Sequence, residues 1–301
     1  MPLTAVMNWF GWQQPPPVEP PHQMRRLDPD VVAELSVPAV ADRPPPKWNR
    51  DRLKITDALW GQGYQFPGGE IETLRLAKPL GLSKASSLLL LGAGSGGAAC
   101  SLATNLGVWV SAFEADPDLV AAAVDRITRR NLTKHAQTEV WNPAEPKFRE
   151  GFYHHGLALE ALHGNQPERV LSAVARALKP SGHLAMTELV ADIPLDPGNP
   201  VVAAWAHLER RDPKALPTDV TITRILGRLG FDVRVCEDIS ERHVSHAMAG
   251  WRSLVRLMED APPTRREAMS SVQEAELWLL RLRLFEIGSL RLVRWHAIGG
   301  G

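Results

Sequence analysis

From residue 51 onward the hydrophobic positions fall into two patterns. Unbroken apolar runs at 88–91 and 108–113 predict strands covered on both faces, as in a parallel sheet. Between and after them, 96–105 and 117–129 read as helices, the first made of small residues. Residues 139–141 read as a short third strand and 153–159 as a fourth. An amphipathic helix at 166–178 ends at Pro180-Ser181-Gly182, and 183–189 follows as a fifth strand. Helices at 199–211 and 219–229, a sixth strand at 231–236 and helices at 244–260 and 264–286 come next. Residues 290–297 alternate apolar and basic side chains and read as a last strand, although LRLRLFEIGSLRLVRW also fits a hairpin. Upstream, helices at 51–60 and 70–77 flank two turns, Gly61-Gln62-Gly63 and Phe66-Pro67-Gly68-Gly69. Repeated strand–helix units of this length predict a Rossmann-like, doubly wound sheet with right-handed crossovers.

Eleven of the 25 prolines lie in the first 46 residues. Proline fixes φ and removes a donor, so 1–47 reads as an extended or disordered arm and 48–301 as the folded domain. Within that domain 51–85 forms pre-core helices and 190–230 an insertion. Lys+Arg and Asp+Glu are both 34, so the formal net charge is zero and no basic field exists to hold a polyanion. Two cysteines, Cys100 and Cys236, make no disulfide framework and suit a reducing, cytoplasmic setting. The first residues lack a basic n-region and a long apolar core, so they do not read as a signal peptide. The uncharged window between Lys84 and Glu114 is broken by Gly92, Gly94, Gly96, Gly97 and Gly107. It therefore reads as strands and turns rather than a membrane span.

The chemistry concentrates at Leu88-Leu89-Leu90-Leu91-Gly92-Ala93-Gly94-Ser95-Gly96-Gly97. A buried strand runs into a glycine bend and then a helix whose first amides are expected to be free for a ligand. Glu114 closes the next strand, 22 residues after Gly92, where a carboxylate can accept from both hydroxyls of a ribose. This order points to an adenosine-containing cofactor. The glycine spacing suits both a dinucleotide and S-adenosylmethionine (SAM).

The chain resembles the class I SAM-dependent methyltransferases over roughly residues 51–298. The resemblance rests on LLLLGAGSGG, on Phe113-Glu114-Ala115-Asp116-Pro117, and on Ala177-Leu178-Lys179-Pro180-Ser181-Gly182-His183-Leu184. It implies seven strands, the last antiparallel, and SAM held by Gly92, Ala93, Gly94, Gly96, Glu114, Ala115, Trp141 and Asn142. Residues 60–69, WGQGYQFPGG, resemble the pre-core lid of phosphobase and sterol methyltransferases, making Tyr64 and Phe66 lid residues. Departures are Asn142 where relatives often carry an acid, Ser181 in place of a glycine, and a fourth strand without an initial Asp. The absence of an Asn/Asp-Pro-Pro-Tyr motif, with zero net charge, favours a small-molecule acceptor over a nucleic acid.

Catalytic candidates lie after the fourth and fifth strands: Glu160, with His163 behind it, and Glu188. Glu237 and Asp238 follow the sixth. Adjacent His154 and His155 point to opposite faces, so only one can enter a cleft. Trp205 falls in the insertion where this family builds its acceptor pocket. No His/Cys set has metal-ligand spacing. Two other readings stay open at this point, a methyltransferase fold kept for binding or assembly and a nucleotide-dependent oxidoreductase. The arm or the final helices are the expected sites of any self-association.

Overall fold

A computed structural model describes residues 47–162 and 166–300. The arm expected over 1–47 and the candidate His163 lie outside the described residues, apart from Lys47. Trp48–Gly301 forms one compact unit, distinct from Met1–Lys47.

Seven strands make one sheet: β1 (Ser87–Leu91), β2 (Trp109–Glu114), β3 (Ala136–Val140), β4 (Tyr153–Leu159), β5 (Leu178–Val190), β6 (Phe231–Asp238) and β7 (Arg291–Gly299). Their order is β3-β2-β1-β4-β5-β7-β6, with β7 antiparallel to β5 and β6 and the other pairs parallel. Strand order reverses between β1 and β4, so the carboxyl ends of those two strands open a crevice.

Helices α1 (Arg50–Trp60) and α2 (Gly69–Ala77) precede the sheet. α3 (Gly97–Leu106) and α4 (Pro117–Arg129) connect β1 to β2 and β2 to β3. α5 (Pro167–Ala177) lies between β4 and β5, and α6 (Pro200–Glu209) and α7 (Asp219–Arg228) between β5 and β6. α8 (Ser240–Asp260) and α9 (Arg265–Glu286) come before β7. Asn49 caps α1 by accepting the Arg52 amide at 2.8 Å. Asp116 caps α4, with Pro117 at its first position.

Leu89, Leu91, Met186 and Trp295 pack beneath α5 and α7 in one core. A second core joins Leu189, Trp205, Leu280, Leu284 and Phe285. Among the described residues no helix is long and apolar enough to cross a membrane.

Three elements differ from expectation. β3 starts at Ala136 rather than 139, because buried Ala136 and Thr138 alternate with exposed Gln137 and Glu139. That half-covered pattern is easily lost in a polar stretch. β5 begins at Leu178 and runs through Pro180-Ser181-Gly182. Ser181 takes φ +58° there, and the register against β4 breaks between Tyr153 and His155. The hairpin alternative near the C-terminus is overturned, since 265–286 is one helix, opened by a Thr264–Glu267 capping box.

Candidate cofactor and acceptor site

The glycine bend is a main-chain cradle. Gly92, Gly94 and Gly96 hold φ of +71°, +57° and +92°. A Cβ on Gly92 would stand 2.1 Å from the Leu159 carbonyl oxygen, so glycine lets β1 turn directly against the end of β4. The Phe113 carbonyl accepts the amides of Gly92 at 3.1 Å and Ala93 at 3.4 Å.

Glu114 converges on this bend. Its Oε2 accepts the Gly94 amide at 2.9 Å, and Oε1 accepts those of Ala115 at 2.7 Å and Asp116 at 3.1 Å. Burial pushes its carboxyl above the usual range, while the three amides pull it back. Trp141, buried at the end of β3, donates its amide to the Glu114 carbonyl at 3.2 Å and packs its ring on Phe148. Asn142 and Ala115 are both exposed, and the Asn142 side-chain oxygen accepts the Ala144 amide at 3.0 Å.

Of the amides expected to be free at the start of α3, that of Gly97 is taken, and the Ser95 amide just before the N-cap Gly96 is taken as well. The Gly97 amide donates to the Gly63 carbonyl at 3.0 Å, and the Ser95 amide to Gln65 Oε1 at 2.8 Å. Gln65 Nε2 in turn donates to Ser95 Oγ. The 61–69 segment thus caps the helix itself. It is latched by Asp57, which accepts the Gly63 amide at 2.6 Å and pairs with Arg126. Arg126 Nε donates to the Ser95 carbonyl. Tyr64 is buried with its hydroxyl bonded to Ser101 Oγ, and Phe66 meets the Tyr64 ring edge-on at 5.7 Å. Burial pushes the Tyr64 phenol up to about 12, so it stays protonated.

Beyond the crevice the side chains are charged and buried. Glu160 follows β4 at φ +47°, and both of its oxygens accept from Arg281 at 2.8 Å. Arg281 also reaches Glu209 at 3.2 Å. Burial opposes the Arg281 charge, but the two carboxylates outweigh it and raise its pKa further. Glu188 is completely buried, bonded to Arg211 at 2.6 Å and to the Leu162 amide at 2.9 Å. Burial pushes the Glu188 carboxyl up, against the pull of Arg211. Trp205 is fully enclosed in the second core. His243 sits between the rings of Trp278 and Phe285, its pKa driven far down by burial. Trp60, the last residue of α1, lies 4.9 Å from the Trp278 ring, which ties the lid's root to α9.

His154 and His155 fall at the start of β4, at the amino ends of the strands, so neither reaches the carboxyl-end crevice. Sequence reasoning missed Asp57, Gln65, Arg126, Arg211 and Arg281. Gln65 alone left a signal, by lying inside the lid motif.

The family described as "Methyltransferase domain" matches residues 89–186. The 27-O-demethylrifamycin SV methyltransferase of Amycolatopsis mediterranei is 26% identical over 249 residues, covering 77% of this chain and 87% of that one. Sterol 24-C-methyltransferase of Saccharomyces cerevisiae is 29% identical over 170 residues, 55% of this chain and 44% of that one. Among solved structures, phosphoethanolamine N-methyltransferase 2 of Haemonchus contortus with S-adenosyl-L-methionine superposes with a TM-score of 0.73 at 18% identity. It covers 83% of this chain, which spans 57% of that structure's length. Fold and bend together define a nucleoside-binding α/β protein with an antiparallel seventh strand. The matched family covers about a third of the chain and the solved structures share its fold, and together they support a SAM-dependent methyltransferase over the oxidoreductase alternative.

Proposed function

We propose that this chain transfers a methyl group from SAM to a small-molecule acceptor. The observation that carries the reading is the Glu114 carboxylate closing on the Gly94 amide across the bend. Gly92, Ala93, Gly94 and Gly96 bring the main chain against the cofactor. Glu114 accepts from the ribose, Ala115 and Asn142 border the adenine, and Trp141 packs on its face. SAM, when bound, supplies an electrophilic methyl on sulfur. The protein's part is to hold an acceptor in line with it and keep water out.

Tyr64 and Phe66 close the lid over the crevice, and the Tyr64 phenol stays neutral, so it cannot act as a phenolate base. Glu160 and Glu188 act as positioning residues rather than free bases, since ion pairs and amides use their oxygens. Trp205 backs the acceptor wall. Relatives acting on a rifamycin and a sterol support a small acceptor, and zero net charge disfavours a polyanion. Cys100 and Cys236, both free, fit a cytoplasmic setting.

Titration calorimetry with S-adenosylhomocysteine tests the cofactor half. Glu114→Ala is expected to weaken binding by roughly 1–3 kcal/mol, the worth of a charged hydrogen-bond acceptor. Unchanged affinity removes Glu114 from its role. Labelled SAM with a panel of hydroxyl, amine and carbon acceptors tests the other half. No transfer to any of them would favour a fold kept for binding.

A further inference from the structure

Consecutive parallel strands of one sheet need a crossover connection, ordinarily a helix. Between β3 and β4, residues 141–152 supply only turns and coil. Among the described residues, one face of β2 and β3 is therefore left without its layer. Val110, Ala112, Ala136 and Thr138 are buried on the side of α3 and α4, whereas Ser111, Phe113, Gln137 and Glu139 on the other side are half-buried or exposed. A cleft of about 510 Å³ runs along this open side, within the range of roughly 300–1,000 Å³ that holds small molecules. Ser87, Trp109 and Tyr153, the first residues of their strands, line it. It therefore runs from the amino ends of these strands along the open face to Phe113 and Glu139, next to their carboxyl ends.

The lining has a definite chemistry. Trp109 is half exposed and lies 4.8 Å from the His135 ring, and Phe113, Phe148 and Phe152 complete an aromatic wall. Lys134, Lys147 and Arg149 face the cleft against the single acid Glu139. Among the described residues, Lys134 and Arg149 form no salt bridge. Arg149 lies instead over the Phe152 ring at 3.9 Å. Aromatic faces accept a planar ring, and a surplus of cations asks for a negative substituent on it.

We propose that this cleft is a second binding site, for a planar aromatic anion, and that it is thermodynamically linked to the cofactor cradle. Two residues belong to both. The Phe113 side chain lines the cleft, while its carbonyl braces the amides of Gly92 and Ala93. Phe148 lines the cleft and packs on Trp141, 5.5 Å between centroids. A ligand that settles these rings biases the bend, and the cofactor must change that ligand's affinity by the same factor. The link, unlike the cleft, rests on the cofactor reading above.

Calorimetry of the full chain with 2-naphthalenesulfonate tests both parts. One site is expected, retained in saturating S-adenosylhomocysteine with a dissociation constant changed about fivefold. Lys134→Ala with Arg149→Ala should weaken it about tenfold. Lys134→Ala alone, an exposed position where folding is not at issue, should weaken it less. No heat at millimolar probe, equal binding by the variants, or full displacement by S-adenosylhomocysteine overturns the site. An identical constant with and without S-adenosylhomocysteine overturns the link. S-adenosylhomocysteine failing to bind at all sinks the cofactor reading and the link together, while the two variants still decide the site.

Discussion

The two sides of the crevice, one proposed for the cofactor and one for the acceptor, are built on different physics. On the cofactor side, contacts are made by main chain or by residues close in sequence: Glu114 reaches Gly94 across 20 positions and its own next two amides. On the acceptor side, buried charges come from distant elements, with Glu160 to Arg281 spanning 121 positions and Glu209 to Arg281 spanning 72. The cradle depends on backbone shape, so its side chains contribute one hydrogen bond at a time. The acceptor wall depends on charges that have left water, so each needs its partner. Substitutions on the two sides should therefore fail in different ways, the first in affinity and the second in folding.

Arg281→Met makes the largest break. Methionine keeps much of the volume but removes the cation that both Glu160 oxygens accept from, leaving that carboxylate beside an apolar stem. Stranding a buried charge costs about 3–5 kcal/mol. Because the Glu160 side chain retains 24% exposure, the lower end of that range is expected. Urea unfolding would register it as a lower midpoint. S-adenosylhomocysteine affinity in the folded fraction should stay put, since no cradle contact involves Arg281. A variant that unfolds normally and loses cofactor affinity would erase the distinction between the sides.

The amino ends of the strands give a control belonging to neither side. His155 Nδ1 accepts the His183 amide at 3.2 Å, and the His183 ring contacts His296 in turn. Burial, then the neighbouring His183 and His154, push His155 down to about 4. An unfolded histidine titrates near 6.5. Between those values the unfolded chain binds the extra proton, so stability is complete above about 6.5 and falls as pH drops toward 4. The loss is on the order of 2 kcal/mol, allowing for partial exposure and for His154 and His296, whose pKa values are also lowered. Melting temperature followed from pH 7 to 4.5 should fall more steeply in the wild type than in His155→Gln. Parallel curves would put the acid-sensitive group elsewhere.

The same contrast decides what the sequence made legible. Apolar runs at 88–91 and 108–113, the bend and Glu114 were readable because their partners are local or are backbone. β3 was misplaced by three residues because only alternate positions, Ala136 and Thr138, are covered. The carboxylates at 160 and 188 could be found as strand-end acids, but their partners Arg281 and Arg211 could not. No period or spacing connects a charge after β4 to one in the middle of α9. The covered helix start was missed for a similar reason. Glycine pairs at 61–63 and 92–97 are each visible, but their contact exists only after α1 and α4 have docked.

Gln65→Ala is the smallest and sharpest test, because it separates side chain from backbone within the cofactor side. Gln65 gives and receives one hydrogen bond with Ser95, whereas Gly63 holds Gly97 through main chain alone. Asp57 and Arg126 latch the same segment independently. Removing the amide should cost about 1 kcal/mol of lid docking, and leave global stability nearly unchanged. Hydrogen exchange reads this locally. The Gly97 amide, protected only while the lid is down, should exchange about fivefold faster, and core amides in β1 should not move. An unchanged Gly97 rate would mean that the Asp57–Arg126 latch alone holds the segment. A rise in β1 exchange would mean that the lid is part of the core, and the cofactor side would then resemble the acceptor side after all.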